Sequence, residues 1–366
     1  MAVKQTIVTA SRLLKALGQA DPIAVLQLLP GPNPLRNLVK EAAKAGTDKA
    51  VCASAMESVD AFDALIREEA GDRGSLKAML SAWLPEARRE FEAQRRQTIF
   101  KALAELDGVS CDFEMSSLLI HPSSSGGSML DVVNAKCLLG IDRIRPDATV
   151  KLGTRRLGEP SDESDRARLP LNLDGEPAID GLHTVRLDGF CESPPAPFLG
   201  RNFGPNVLYE LGPTGFGKQS KVDLVIAEWN KDELNGLATE EGRTVNFFLI
   251  PEMATRKVVF DLFVHKDVFK NATPELMSYE TNAMGPARAG DPARELDKRP
   301  VPEDLQVLKS AGHSARLLEF PQYGALLRHI TDRLGWDIDA FRLLRVAVTY
   351  PLVGRQITIA FQPAEP

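Results

Sequence analysis

Apolar residues recur every three to four positions through the first 107 residues and about every second position afterwards, and this change of period divides the chain. Ile7, Ala10, Leu14 and Leu17 share one helical face, and Gly18 follows as a stop. Asp21-Pro22 opens a second helix, with Asp21 as N-cap and proline at the first helical position. Its residues Ile23, Val25, Leu26, Leu28 and Leu29 are apolar nearly all round, which predicts burial, and "PGP" at 30–32 ends it. Asn33-Pro34 repeats the opening signal, and Leu35, Leu38, Val39 and Ala42 make a stripe that runs to Gly46. Thr47 is the expected cap of a longer helix carrying Val51, Ala55, Val59, Phe62 and Ile66, stopped by Gly71. Leu76, Met79, Leu80, Trp83, Leu84, Ala87 and Phe91 are the most periodic set. Pro85 interrupts them, so a kink or two helices are expected. Phe100, Leu103 and Leu106 resume the pattern until Asp107-Gly108.

Beyond Gly108, "SSLLIHP", "DVVNAKCLLGIDRI", "TVKL", "HTVRLDGF", "NVLYEL", "KVDLVIAEW", "TVNFFLI" and "KVVFDLFVH" read as strands. Polar stretches at about 153–182 and 284–312 read as surface loops. Tyr323, Leu326, Leu327, Ile330 and Leu334 define a late helix stopped by Gly335, and "LLRVAVTY", "PLVG" and "RQITIAF" suggest a terminal hairpin. The expected fold class is α+β: a helical region over 1–108, then a β-rich region over 109–366 with a late helix and a C-terminal hairpin.

Composition adds limits. The chain has 366 residues and a formal net charge of −6, which argues against broad coating of nucleic acid or an anionic membrane. The charge is uneven: residues 1–46 carry six basic residues against Asp21 and Glu41, whereas residues 47–71 carry two basic and six acidic residues. Cys52, Cys111, Cys137 and Cys191 lie far apart in apolar surroundings, which suggests free thiols in a reducing compartment. No apolar run reaches the roughly 18 residues a membrane span needs. The first twenty residues lack acidic side chains, as transit peptides do, but read more simply as the first helix. The expected location is the cytoplasm.

Few motifs carry chemistry. "GPTGFGKQS" at 212–220 follows a strand and places Gly212, Gly217 and Lys218 as a phosphate-binding loop would. Gln219 displaces the Mg²⁺-holding hydroxyl to Ser220, and the next segment reads as strand, so no helix N-terminus faces the loop. A hairpin loop fits better. The Ser/Gly run after His121 reads as a flexible connection. The five histidines are scattered, His265 reads as a strand-end surface residue, and acidic pairs such as Asp60 with Asp63 and Glu68 with Glu69 read as solvated helix faces. No catalytic residue, cofactor or metal is expected from these patterns.

The two helices joined by "PGPN" have the proportions of a helix-turn-helix, with Arg36, Asn37, Lys40 and Lys44 on the outer face of the second. Two prolines in the turn oppose the usual tight geometry. In "ARREFEAQRRQ", Glu92 is placed to pair with Arg88 and Arg96, which reads as a solvated structural helix.

The phrases "GIDRIRPDATVKL", "KVVFDLFVHKDVF" and "ITDRLGWDIDAFRLLRVAVTYP" resemble stretches of long uncharacterised bacterial proteins of the kind found in planctomycete genomes. The resemblance covers about the C-terminal two-thirds and implies a bacterial cytosolic protein, with no activity or site to carry over. By elimination the sequence points to a non-enzymatic binding or regulatory protein. Its helical region would contact a protein partner, a second copy or DNA, through Arg36, Asn37, Lys40 and Lys44 in the last case. The alternatives are an enzyme whose site is built from scattered residues and a structural interaction module. No membrane partner is expected.

Overall fold

Six helices precede thirteen strands, with two further helices late in the chain, among the residues described in the computed structural model: 2–81, 83, 85–156, 171–175, 185–193, 197–203, 206–215, 221–308 and 311–363. The chain is α+β, and it divides into two compact units, Met1–Arg95 and Arg96–Pro366.

The first unit holds α1 (Ala2–Leu17), α2 (Pro22–Leu28), α3 (Pro32–Lys44), α4 (Lys49–Ala70), α5 (Arg73–Ser81) and the start of α6 (Pro85–Asp107). Asp21 caps α2 by accepting from the Ile23 N–H. The cap of α4 is Asp48 rather than Thr47. Its carboxylate accepts from the Ala50 and Val51 N–H groups, and a charged acceptor answers the orphan donors of a helix start better than a hydroxyl. Proline at 85 opens α6 instead of bending a longer helix, so the periodic stretch is two helices. The apolar α2 is only half-buried, although Pro30 after it is buried. Arg73 donates to the Leu26 and Leu29 carbonyls at the end of α2 and lies over the Phe62 ring.

In the second unit, β1 (Val109–Pro122) and β2 (Met129–Arg143) form a long hairpin, followed by β3 (Val150–Arg156), β4 (Val185–Arg186), β5 (Phe198–Phe203), β6 (Asn206–Leu211) and β7 (Val222–Asn235). Then come β8 (Val245–Leu249), β9 (Thr255–His265), β10 (Thr273–Glu280), β11 (Gln306–Leu308), α7 (Ala311–Ser314), α8 (Tyr323–Leu334), β12 (Phe341–Thr349) and β13 (Arg355–Gln362). A seven-stranded sheet runs in the order β11-β12-β9-β1-β2-β7-β4, and β1 and β9 are its parallel pair. Two three-stranded sheets, β10-β13-β8 and β3-β6-β5, complete the unit.

Alternation along the central strands separates two apolar sets. Met115, Leu119, Val259, Phe263 and Leu343 pack with Tyr323, Leu326, Leu327 and Ile330 of α8. Ile120, Phe260, Leu262 and Val346 pack with Phe247 of β8 and Ile359 and Phe361 of β13. Leu138, Ile141 and Leu224 pack with Val150, Val207 and Tyr209 of the β3-β6-β5 sheet. Both faces of the central sheet are therefore covered, which is why β9 reads as a nearly continuous apolar run.

One charge interrupts that run. Asp261 is fully buried and accepts from Arg345 Nε at 2.8 Å, from Arg345 Nη2 at 2.6 Å and from the Tyr323 hydroxyl at 2.6 Å. Ser117 bonds the same hydroxyl at 2.7 Å. The network joins β1, β9, β12 and α8. Burial pushes the Tyr323 hydroxyl well above its ordinary range, so it stays protonated and donates.

One sequence expectation needs correction here. The C-terminal strands do not form a hairpin: β12 pairs with β9 and β11, whereas β13 pairs with β10 and β8 in another sheet. Tyr350, with φ of 51°, and Pro351 turn the chain from one layer to the other. The polar 284–312 stretch, read as a surface loop, is mostly turns and irregular backbone among its described residues. It carries a 3-10 turn at Pro292–Asp297 and the edge strand β11. Arg294 is buried there, donating to the carbonyls of Glu280, Gly285 and Pro286 and pairing with Asp297.

Candidate interaction surface

Helix α3 presents Leu35 to the interior of its unit, with Leu38, Val39 and Ala42 half-buried beside it. That stripe carries Asn37, Lys40 and Lys44 to solvent, as their spacing implies. Arg36 behaves differently. Its guanidinium donates to Asp60 at 2.8 Å and to Asp63 at 2.8 Å, with a further bond to Asn33, and it is half-buried. The pairing raises the Arg36 pKa and lowers that of Asp63, chiefly through their mutual hydrogen bond. Thus the acidic pair on α4 is not simply a solvated face, and Arg36 ties α3 to α4. Lys44 pairs with Glu41 at 2.8 Å. Of the four residues singled out for nucleic acid, Asn37 and Lys40 are exposed and make no ion pair among the described residues.

The most distinctive surface of this unit lies on α1. Thr9, Leu13 and Ala16 turn inward, and Ala16 is fully buried. Ile7, Leu14 and Leu17 turn outward and are 63%, 70% and 70% exposed, with Ala10 half-buried among them. The apolar arc of α1 is wider than the surface its neighbours cover. Three large aliphatic side chains therefore line one exposed edge, at helical spacing. Arg12 and Lys15 are exposed beside that edge, together with Val8 and Ser11, and the α1 sequence contains no acidic residue. The sequence marked Ile7, Ala10, Leu14 and Leu17 as one face, but their outward direction is a tertiary fact.

A second cluster forms in the β unit. Parallel pairing of β1 with β9 puts His121 beside His265, with ring centroids 4.7 Å apart. Trp336, just beyond α8, stacks on His121 at 4.6 Å, and Phe341 packs against all three rings. His121 Nδ1–H donates to the Pro122 carbonyl at 2.7 Å, whereas His265 Nδ1 accepts from the Asp267 N–H at 3.2 Å. Burial lowers both imidazole pKa values, so the two rings pack as neutral aromatic plates. His265 is therefore part of a stack rather than a plain surface residue. His121, His265 and the Trp336–Phe341 segment are far apart in the sequence, and the pairing of β1 and β12 with β9 brings them together.

The remaining candidates contribute little. Gly217, Lys218, Gln219 and Ser220 lie outside the described residues; strands β6 and β7 stand before and after them. All four cysteines are free, and burial pushes the Cys111 and Cys137 thiols up. In α6, Arg88 pairs with Glu92, while Arg96 pairs with Glu303. Among the described residues no three His, Cys, Asp or Glu side chains are arranged to hold a metal ion, and no helix is long and apolar enough to cross a membrane. No family model matches the chain, and no curated protein matches it.

Proposed function

We propose that this is an interaction protein. Its helical unit docks on a protein partner through the outward apolar edge of α1, and its β unit supplies a rigid body. The observation that carries this reading is the exposure of Ile7, Leu14 and Leu17 in one row. Contiguous exposed aliphatic side chains cost free energy in water and are relieved by a complementary surface. Because the charges of α1 are all basic, the fitting partner is an amphipathic helix whose apolar stripe is bordered by acidic residues. A DNA contact through Asn37, Lys40 and Lys44 is the second reading, favoured by their exposure on α3 and weakened by the commitment of Arg36 to Asp60 and Asp63.

The two readings separate in one experiment. The full chain carries a photo-crosslinker at position 14 or at position 40, and each form is irradiated in native lysate. Protein adducts at position 14, lost when Leu17→Asp is added, are expected. Nucleic-acid adducts at position 40 with none at position 14, and a mobility shift that falls steeply with salt, would contradict the docking reading.

A further inference from the structure

We propose that the partner of α1 is helix α4 of a second copy of this chain, an inference that rests on the docking role given to α1. The exposed residues of α4 follow the same spacing as those of α1. Val51, Ser54, Ser58, Ala61 and Leu65 are all exposed and recur at steps of three and four. Ile7, Ala10, Leu14 and Leu17 recur at the same steps. The α1 seam spans about 15 Å and the α4 seam about 21 Å at the helical rise of roughly 1.5 Å per residue, so the first lies within the length of the second.

The two seams complement one another in size. The α1 seam is bulky. The α4 seam is small at its centre, with Val51 and Leu65 (59% and 49% exposed) at its ends. Large side chains on one helix seat between small ones on the other. The Ser58 hydroxyl already donates to the Ser54 carbonyl at 3.0 Å, so burying it strands no donor.

Charge selects the same pairing. Helix α1 carries Lys4, Arg12 and Lys15 with no acidic residue, so two copies of α1 would repel. Helix α4 carries five acidic residues against Lys49 and Arg67, and Glu57, Glu68 and Glu69 are exposed beside its seam. Within one chain α1 packs on α2 and α3, whereas α4 packs on α3 and α5, and the large side chains of both seams stay exposed among the described residues. A reciprocal arrangement, α1 on α4 in both directions, closes a two-fold dimer and doubles the buried area toward the roughly 1,200 Å² that stable interfaces need.

Sedimentation equilibrium of the full chain tests this, with circular dichroism confirming that each variant is folded. The wild type should be a dimer that weakens as salt rises. Leu14→Asp/Leu17→Asp and Ala61→Asp/Leu65→Asp should each weaken self-association about a hundredfold or more, because a charge is stranded in the seam. An equimolar mixture of the two variants should recover heterodimer, since one intact α1 then meets one intact α4. A wild-type dimer that the α4 variant leaves unchanged would overturn the assignment to α4. A chain that is monomeric at every concentration would overturn the second copy as partner, yet would leave the docking role standing if position-14 crosslinks to another protein persist. Dimers unaffected by the α1 variant would overturn the α1–α4 pairing, and the docking role as well if position 14 gives no crosslink to any protein.

Discussion

The two compact units differ in how they dispose of their apolar residues. In the helical unit the buried hydrophobic side chains described are Ala16, Leu35, Val59, Ile66 and Leu80, while Ile7, Val8, Leu14, Leu17, Val51, Leu65, Met79 and Trp83 are exposed. The β unit contains all three large apolar clusters, and its sheet is covered on both faces. Scattered exposed leucines such as Leu296 and Leu318 are ordinary in a folded chain. A row of them on one helix of a thinly buried unit is different, because the same spacing that usually builds a core here faces water. The contrast teaches that the β unit buries its apolar residues within itself, whereas the helical unit leaves a row of them in water, and that row is the surface the proposed docking would use.

The comparison is broken most sharply at Arg345. Replacing it with Met leaves Asp261 buried without its cation, and chemical denaturation should show a loss of roughly 3–5 kcal/mol in the β unit. Packing comes next. Leu326→Ala should cost about 2–5 kcal/mol, because Leu326 is fully buried between α8 and the sheet. Leu14→Ala should stay within about 0.5 kcal/mol in the dissociated protein, since its side chain loses nothing it had buried. Equal costs at the two leucines would erase the distinction between the units.

A pH titration sharpens the picture at the aromatic stack. Burial lowers the imidazole pKa of His121 and His265 below the ordinary value of about 6.5, so below that pH the unfolded chain binds more protons than the folded one. Stability of the β unit should therefore fall as pH drops from about 6.5 through the lowered folded values. Asp131, Asp267 and Asp337 near the pair moderate the effect, and Lys266 adds to it. Thermal melts of the His121→Gln/His265→Gln variant should show a flatter pH slope. An unchanged slope would remove the stack from the account. The smallest effect is expected at Arg36. Arg36→Ala should lower the melting temperature slightly more than Lys40→Ala, because only Arg36 joins α3 to α4.

Element types were legible because period and punctuation agree at most of them. Gly18, Gly46, Gly71 and Gly335 follow the ends of α1, α3, α4 and α8, and β9 is unmistakable in "KVVFDLFVH". Sheet partners were less so. Adjacent strands with a short turn suggest a hairpin, yet Tyr350-Pro351 sends β13 into another layer, β5 and β10 carry too many polar, glycine or proline residues to announce themselves, and β11 is only three residues long. The candidate surface was half visible. The apolar face of α1 is plain from spacing, but whether such a face turns in or out depends on how α2 and α3 cover it. The role of Arg36 was hidden because its partners lie 24 and 27 residues away on the next helix.

The central claim, that the α1 edge is covered in the working protein, is tested most directly by hydroxyl-radical footprinting of the full chain in native lysate and after purification and dilution. Leu296 and Leu318, 93% and 95% exposed in the β unit, serve as internal standards. Ile7, Leu14 and Leu17 should be protected in lysate and gain reactivity relative to the standards on dilution, to the level of side chains 63–70% exposed. The same ratio to Leu296 and Leu318 in lysate and after dilution would show the edge uncovered in both.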